Sequence, residues 1–150
     1  MTTKSPPVLN PQFSKIYPGP FRYSPGSDWV DSTFDVYCIS TEQHVLSTFY
    51  WDERERAELV AYVLTCALEF CHSDCKDLDL QEWKAFRQLY PGPYYSTSED
   101  SSGYGPIEVI NSQSAERSLT FCYDRCFTGK AKLVAPHVVA ALEQLATSVE

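Results

Sequence analysis

With 150 residues, 43% of them hydrophobic and 14% aromatic, the chain can bury one sizeable core without disulfides, metal or a partner, which excludes wholesale disorder. Its formal net charge of −8 is concentrated between residues 28 and 100, where fifteen acids face five bases; that field repels a phosphate backbone, so nucleic-acid binding is not expected. The longest apolar stretch, residues 59–68, is broken by Thr65 and is about half of what a bilayer demands, and no apolar run follows Lys4; neither a membrane partner nor a secretory signal is expected, and the location reads as cytoplasmic.

Residues 1–27 hold Pro6, Pro7, Pro11, Pro18, Pro20 and Pro25. Each lacks a donor N–H and drives its predecessor out of helical geometry, so an extended N-terminal arm is expected, with Phe13, Tyr17, Phe21 and Tyr23 laid on a surface. A single α+β domain over residues 28–150 should follow. Residues 33–40 and 44–51 are rich in β-branched and aromatic side chains and are joined by Thr41, Glu42 and Gln43, which predicts a hairpin. The first of these strands is apolar on both faces, which places it inside a sheet.

A long helix is predicted next. Asp52 and Glu55 have capping-box spacing, and Val60, Leu64, Ala67 and Cys71 recur at helical intervals. Asp79 and Glu82 repeat the capping spacing before a second helix, with Leu78 and Trp83 at the staple positions; Pro91 ends it by Tyr90. A long loop over residues 91–106 leads to a second hairpin, residues 107–111 and 117–123. A short strand is expected at 132–134, and Pro136 suits the first turn of a closing helix lined by Val138, Leu142, Leu145 and Val149. Strands fall in sequential groups, so the expected fold is an antiparallel sheet of four to five strands with helices on one face.

Three features could carry chemistry. Tyr17-Pro18-Gly19-Pro20 is followed by Phe21, and Tyr90-Pro91-Gly92-Pro93 by Tyr94. The interval is too long and the flanks too different to suggest a repeat architecture, so the two segments read as stiff turns that either present rings to a partner or bury them at home. Cys71/Cys75 and Cys122/Cys126 share a three-residue spacer; four thiolates suit zinc, but zinc knuckles favour a two-residue spacer, each pair could instead form a disulfide, and reduced structural or surface cysteines are the simpler reading. The acidic link 72–79 has no EF-hand period.

The sequence contains no nucleophile elbow, Walker loop, dinucleotide fingerprint or HExxH helix, and His44, His72 and His137 are scattered, so catalysis is not expected. The expected function is protein interaction. An acidic middle section would steer a basic partner at long range, and Tyr17, Phe21, Tyr23, Tyr90, Tyr94 and Tyr95, beside Asp28, Asp31, Glu99 and Asp100, would supply contact area. An inhibitor, an immunity-type protein or an adaptor fits this physics. No cofactor is expected; the alternatives are a metal-binding (zinc) or redox protein using Cys71, Cys75, Cys122 and Cys126, or an enzyme of a type that no motif identifies.

Overall fold

Two sequence segments with the same internal order of elements build this protein. The computed structural model describes residues 11–25, 33–49, 53–72, 78–96, 107–111, 118–122 and 130–149. The first segment runs α1 (Pro11–Ile16), β1 (Phe21–Pro25), β2 (Thr33–Cys38), β3 (Gln43–Phe49) and α2 (Arg54–His72). The second runs α3 (Leu80–Leu89), β4 (Tyr94–Ser96), β5 (Ile107–Asn111), β6 (Ser118–Cys122) and α4 (Lys130–Val149). Each is a short helix, a three-stranded meander and a long helix.

The strands join into one antiparallel sheet of order β1-β2-β3-β6-β5-β4, so the second meander mirrors the first across the β3–β6 pair, where Ser47 faces Phe121. The expected α+β class with an antiparallel sheet is therefore present, but the described residues alone form six strands rather than four to five. The additional pair, β1 and β4, follows the two Tyr-Pro-Gly-Pro turns. α2 packs on β1, β2 and β3, α4 on β4, β5 and β6, and the two long helices pack on each other. The short helices cross over: α1 contacts α4, and α3 contacts α2.

The two turns are the corresponding parts of this repeat. Tyr17 N–H donates to the Phe13 carbonyl at 2.7 Å and Tyr90 N–H to the Phe86 carbonyl at 2.8 Å, so each tyrosine closes the last turn of its short helix. Gly19 and Gly92 follow at φ +80° and +84°, left-handed backbone that glycine adopts without a Cβ clash, and the Gly19–Pro20 and Gly92–Pro93 bonds are both cis. The next residue opens an edge strand, and its N–H donates to a glutamate of the long helix of its own segment: Phe21 to Glu69, and Tyr94 to Glu143 at 3.2 Å. The interval that argued against a repeat is the length of a whole α-β-β-β-α unit. The flanks differ because only the positions that shape the turn must match.

This geometry replaces the extended arm. Residues 11–16 are helical and residues 21–25 form an edge strand paired with β2 in the register Phe21↔Cys38, Tyr23↔Val36. Pro11 is tolerated because the first helical position needs no N–H partner. Phe13, Tyr17 and Phe21 lie in the core, and Phe13 stacks on His137 of α4 with ring centroids 3.7 Å apart.

β2 lies inside the sheet, as its two-faced apolar pattern implied; Phe34, Val36 and Cys38 are buried in the core with Leu46 of β3. From above, Val60, Leu64, Ala67 and Leu68 of α2 and Val134, Val138, Leu142 and Leu145 of α4 fill the same core. The Asp79 cap forms as predicted, its carboxylate accepting from the N–H groups of Gln81 and Glu82. Asp52 lies outside the described residues. The strand expected at 132–134 is helical: α4 begins at Lys130 and carries Pro136 in its interior. The proline has no N–H to give to the Lys132 carbonyl one turn before it, and both residues are exposed, so the interruption lies on the solvent side of the helix. His137 is accordingly not in a first turn but well inside α4, 2% exposed. No helix among the described residues is long and apolar enough to cross a membrane.

Candidate functional site

The turn tyrosines do not form a contact surface. Tyr17, Phe21, Tyr90 and Tyr94 are at most 6% exposed. Tyr94 O–H donates to the Tyr90 carbonyl at 2.5 Å and accepts from Arg87 Nη1 at 2.8 Å, so even its polar tip is used internally. Arg56 Nε donates to Tyr90 Oη at 3.0 Å, and Arg56 Cζ lies 5.3 Å from the centre of that ring. Of the sequence-predicted contacts, Tyr95 is 44% exposed and Tyr23 is half-buried. Asp28, Asp31, Glu99 and Asp100 lie outside the described residues, as do Cys75, Cys126 and the side chains of Cys71 and Cys122. Cys38 and Cys66 are buried thiols outside any disulfide, and no group of three or more metal-ligating side chains occurs among the described residues.

Tyr23 leads to a different site. Its strand runs beside α2, where Glu55, Glu58, Leu59 and Tyr62 fall at positions i, i+3, i+4 and i+7 and so share one face. The start of α3 adds Asp79 and Glu82, and the seven residues enclose a groove of about 600 Å³. Four are carboxylates, two are tyrosines, and among the described residues no lysine or arginine lines it. Asp79 N–H donates to Tyr62 Oη at 2.8 Å, tying α3 to α2, and the Tyr23 and Tyr62 rings meet edge to face at 6.3 Å.

Helix ends explain how three of the four carboxylates gather here. Glu55 lies in the first turn of α2, while Asp79 caps α3 and Glu82 lies in its first turn. Unsatisfied N–H groups at helix starts favour anions by about 0.3–1 kcal/mol each. The phenols respond to the setting. Burial pushes Tyr62 up to about 12, in spite of the N–H it accepts from Asp79. Burial, then the charges of Glu58 and Glu82, raise Tyr23 as well. Both stay neutral at physiological pH, so the groove offers carboxylate acceptors beside aromatic rings. That combination suits an ammonium or guanidinium group, which gains from both.

Glu55, Glu58 and Tyr62 were legible in principle from their helical spacing. What hid the site was Asp79 and Glu82, which the sequence assigns to capping; Asp79 does cap, its own N–H goes to Tyr62 and not to Glu82, and both carboxylates face the groove.

A second polar cluster lies on the sheet face opposite the helices. Ser47 O–H donates to Asp35 Oδ1 at 2.6 Å, Tyr37 O–H to Oδ2 at 3.2 Å, and His44 Nε2 contacts Ser47 Oγ at 2.7 Å. The residue types match a Ser-His-Asp triad, but the wiring does not. Ser47 sits between the other two and gives its proton to Asp35, which leaves His44 Nε2 as the donor to Ser47 Oγ, whereas activation of a serine needs the imidazole as acceptor. Burial raises the Asp35 pKa, but the facing His44, Ser47 and Tyr37 prevail and hold it below the usual carboxylate range. The cluster keeps a 5% exposed carboxylate charged and joins β2 to β3.

In comparisons with known proteins, no family model, curated protein or solved structure matches the chain.

Proposed function

We propose that the chain is a protein-interaction module that takes a basic side chain of a partner protein into the groove between β1, α2 and α3. The observation that carries this reading is the lining itself: Glu55, Glu58, Asp79 and Glu82 around Tyr23 and Tyr62, with no lysine or arginine among the described lining residues. The excess of acids over residues 28–100 would draw such a partner in, and the desolvated tyrosine faces would hold the cation once docked. Inhibitor, immunity-type and adaptor roles share this physics. The contacts differ from those expected from sequence, because the groove retains Tyr23 and replaces the buried turn rings with residues of α2 and α3.

Titration calorimetry with a lysine- and arginine-containing peptide, against a glutamate-containing peptide of equal length, tests the reading. Binding of the basic peptide should weaken as salt is raised and disappear in Glu58→Lys and Glu82→Lys, both at exposed positions. If neither charge reversal alters binding, or the two peptides bind alike, the groove is not the contact site.

A further inference from the structure

The other flank of α3 carries a second cavity of opposite chemistry. Leu80, Trp83, Lys84, Arg87 and Gln88 of α3, with Val149 of α4, enclose about 420 Å³. Its apolar wall is real surface: Leu80 is 56% exposed, which is unusual for a leucine beside a core. Its cations are Lys84 and Arg87. The guanidinium of Arg87 is held in place, with Nη1 on the Tyr94 hydroxyl at 2.8 Å and the group 5.6 Å from the Trp83 ring and 5.8 Å from the Tyr94 ring. A cation fixed between two rings loses little further freedom on meeting an anion.

The third component is a donor. Trp83 is 2% exposed, and its indole N–H has no hydrogen-bond acceptor among the described residues. A buried donor left without a partner costs about 1–3 kcal/mol, and folded proteins contain few. This one belongs to a side chain that lines a cavity, so an acceptor carried by a ligand would recover the loss. Cations, a buried donor and an aliphatic wall together describe an amphipathic anion. A dianion such as phosphate would find the cations but waste Leu80 and Val149, and the overall charge of −8 opposes it more strongly than it opposes a monoanion.

We propose that this cavity binds a small aliphatic carboxylate. Its head lies between Lys84 and Arg87 with an oxygen within reach of the Trp83 indole N–H, and its tail lies against Leu80 and Val149. The assignment is independent of the acidic groove, from which the body of α3 separates it.

The three tryptophans, Trp29, Trp51 and Trp83, should give three indole N–H signals in a nitrogen-correlated NMR spectrum. Trp83→Phe identifies the Trp83 signal; should that variant not fold, Trp29→Phe and Trp51→Phe identify it by elimination. Octanoate should move the Trp83 signal downfield in a saturable manner, with affinity in the low millimolar range or tighter, and octanol should not. Lys84→Glu and Leu80→Glu, both at exposed positions, should each weaken octanoate binding by about tenfold, equivalent to ~1.4 kcal/mol. A Trp83 signal that is unmoved at the solubility limit of octanoate overturns the proposal. An equal response to octanol, or binding unchanged in both variants, overturns it as well.

Discussion

Alanine at Gly92 and at Gly19 gives the sharpest test of the repeated turn. Both glycines have left-handed backbone, φ +84° and +80°, which disfavours a residue with a Cβ by roughly 1–2 kcal/mol. Alanine also stiffens the unfolded chain, which returns about 0.4–1 kcal/mol where the native geometry is compatible and less where it is strained. The surroundings then separate the twins. A Cβ at Gly19 would meet the Phe21 ring at 3.3 Å. A Cβ at Gly92 would meet the Tyr94 ring at 3.3 Å and Arg87 Nη1 at 3.1 Å. The Phe21 and Tyr94 contacts are equivalent, so the difference lies in Arg87. Displacing Nη1 by a few tenths of an ångström strains its bond to the Tyr94 hydroxyl, a loss of about 0.5–1.5 kcal/mol. Gly19→Ala should therefore cost about 1 kcal/mol and Gly92→Ala about 2 kcal/mol. Equilibrium urea unfolding measures both: the midpoints should fall in that order with the slope m unchanged. A wild-type midpoint in either variant would refute the backbone argument. A Gly19→Ala variant weaker than Gly92→Ala would refute the role given to Arg87.

The neighbouring tyrosines should behave in opposite ways. Tyr94→Phe removes the hydroxyl that serves the Tyr90 carbonyl and Arg87 and should cost about 1–3 kcal/mol in urea unfolding, whereas Tyr95→Phe, on an exposed ring, should change stability by less than about 0.5 kcal/mol. Because the folded-state pKa of Asp35 is depressed, its ionisation contributes stability above the ordinary carboxylate value of about 4, and that contribution is lost as pH falls through the folded pKa. Asp35→Asn should thus be less stable than wild type at neutral pH and lose less on acidification; parallel acid profiles would disprove the linkage. At the alkaline end the Tyr62 phenol, raised to about 12, contributes stability below its unfolded value of about 10 that disappears as pH rises through the folded value. Phenolate absorbance should show Tyr62 titrating after the exposed tyrosines, and Tyr62→Phe should remove that late step.

The parts of the fold set by local chemistry could be read from the sequence. The α3 cap follows from Asp79 competing for orphan N–H groups, and the interior place of β2 follows from apolar residues on both faces. What could not be read depends on contacts remote in sequence. The turn Tyr17-Pro18-Gly19-Pro20 looks like part of a free arm until Phe13, Tyr17 and Phe21 are seen to fill the space beside α4, more than a hundred residues away. Pro136 misled in another way, because a proline suited to a first turn is also tolerated inside a helix at an exposed position, as Pro136 and Lys132 one turn before it are. The groove was half visible: the spacing of Glu55, Glu58 and Tyr62 gives one helical face, but only the docking of α3 onto α2 brings Asp79 and Glu82 to it.

The repeat also supplies an internal control for the proposed function. If the acidic groove were a by-product of the α-β-β-β-α unit, carboxylates should also stand at the corresponding helix starts of the partner positions. They do not. α2 and α3 carry Glu55 and Glu82 in their first turns, whereas α1 and α4 carry no acid there, and α4 opens with Lys130 and Lys132 instead. The features that shape the turn, by contrast, recur in both halves: the buried tyrosine, the left-handed glycine, the glutamate on the edge-strand N–H. Folding requirements have thus kept the two halves alike where the backbone demands it, while the charge on their helix starts differs. Four carboxylates within one groove repel one another, a cost that the other pair of helix starts avoids. A fold that does not need this cost yet carries it at one of two equivalent places fits a groove kept for a cation supplied from outside.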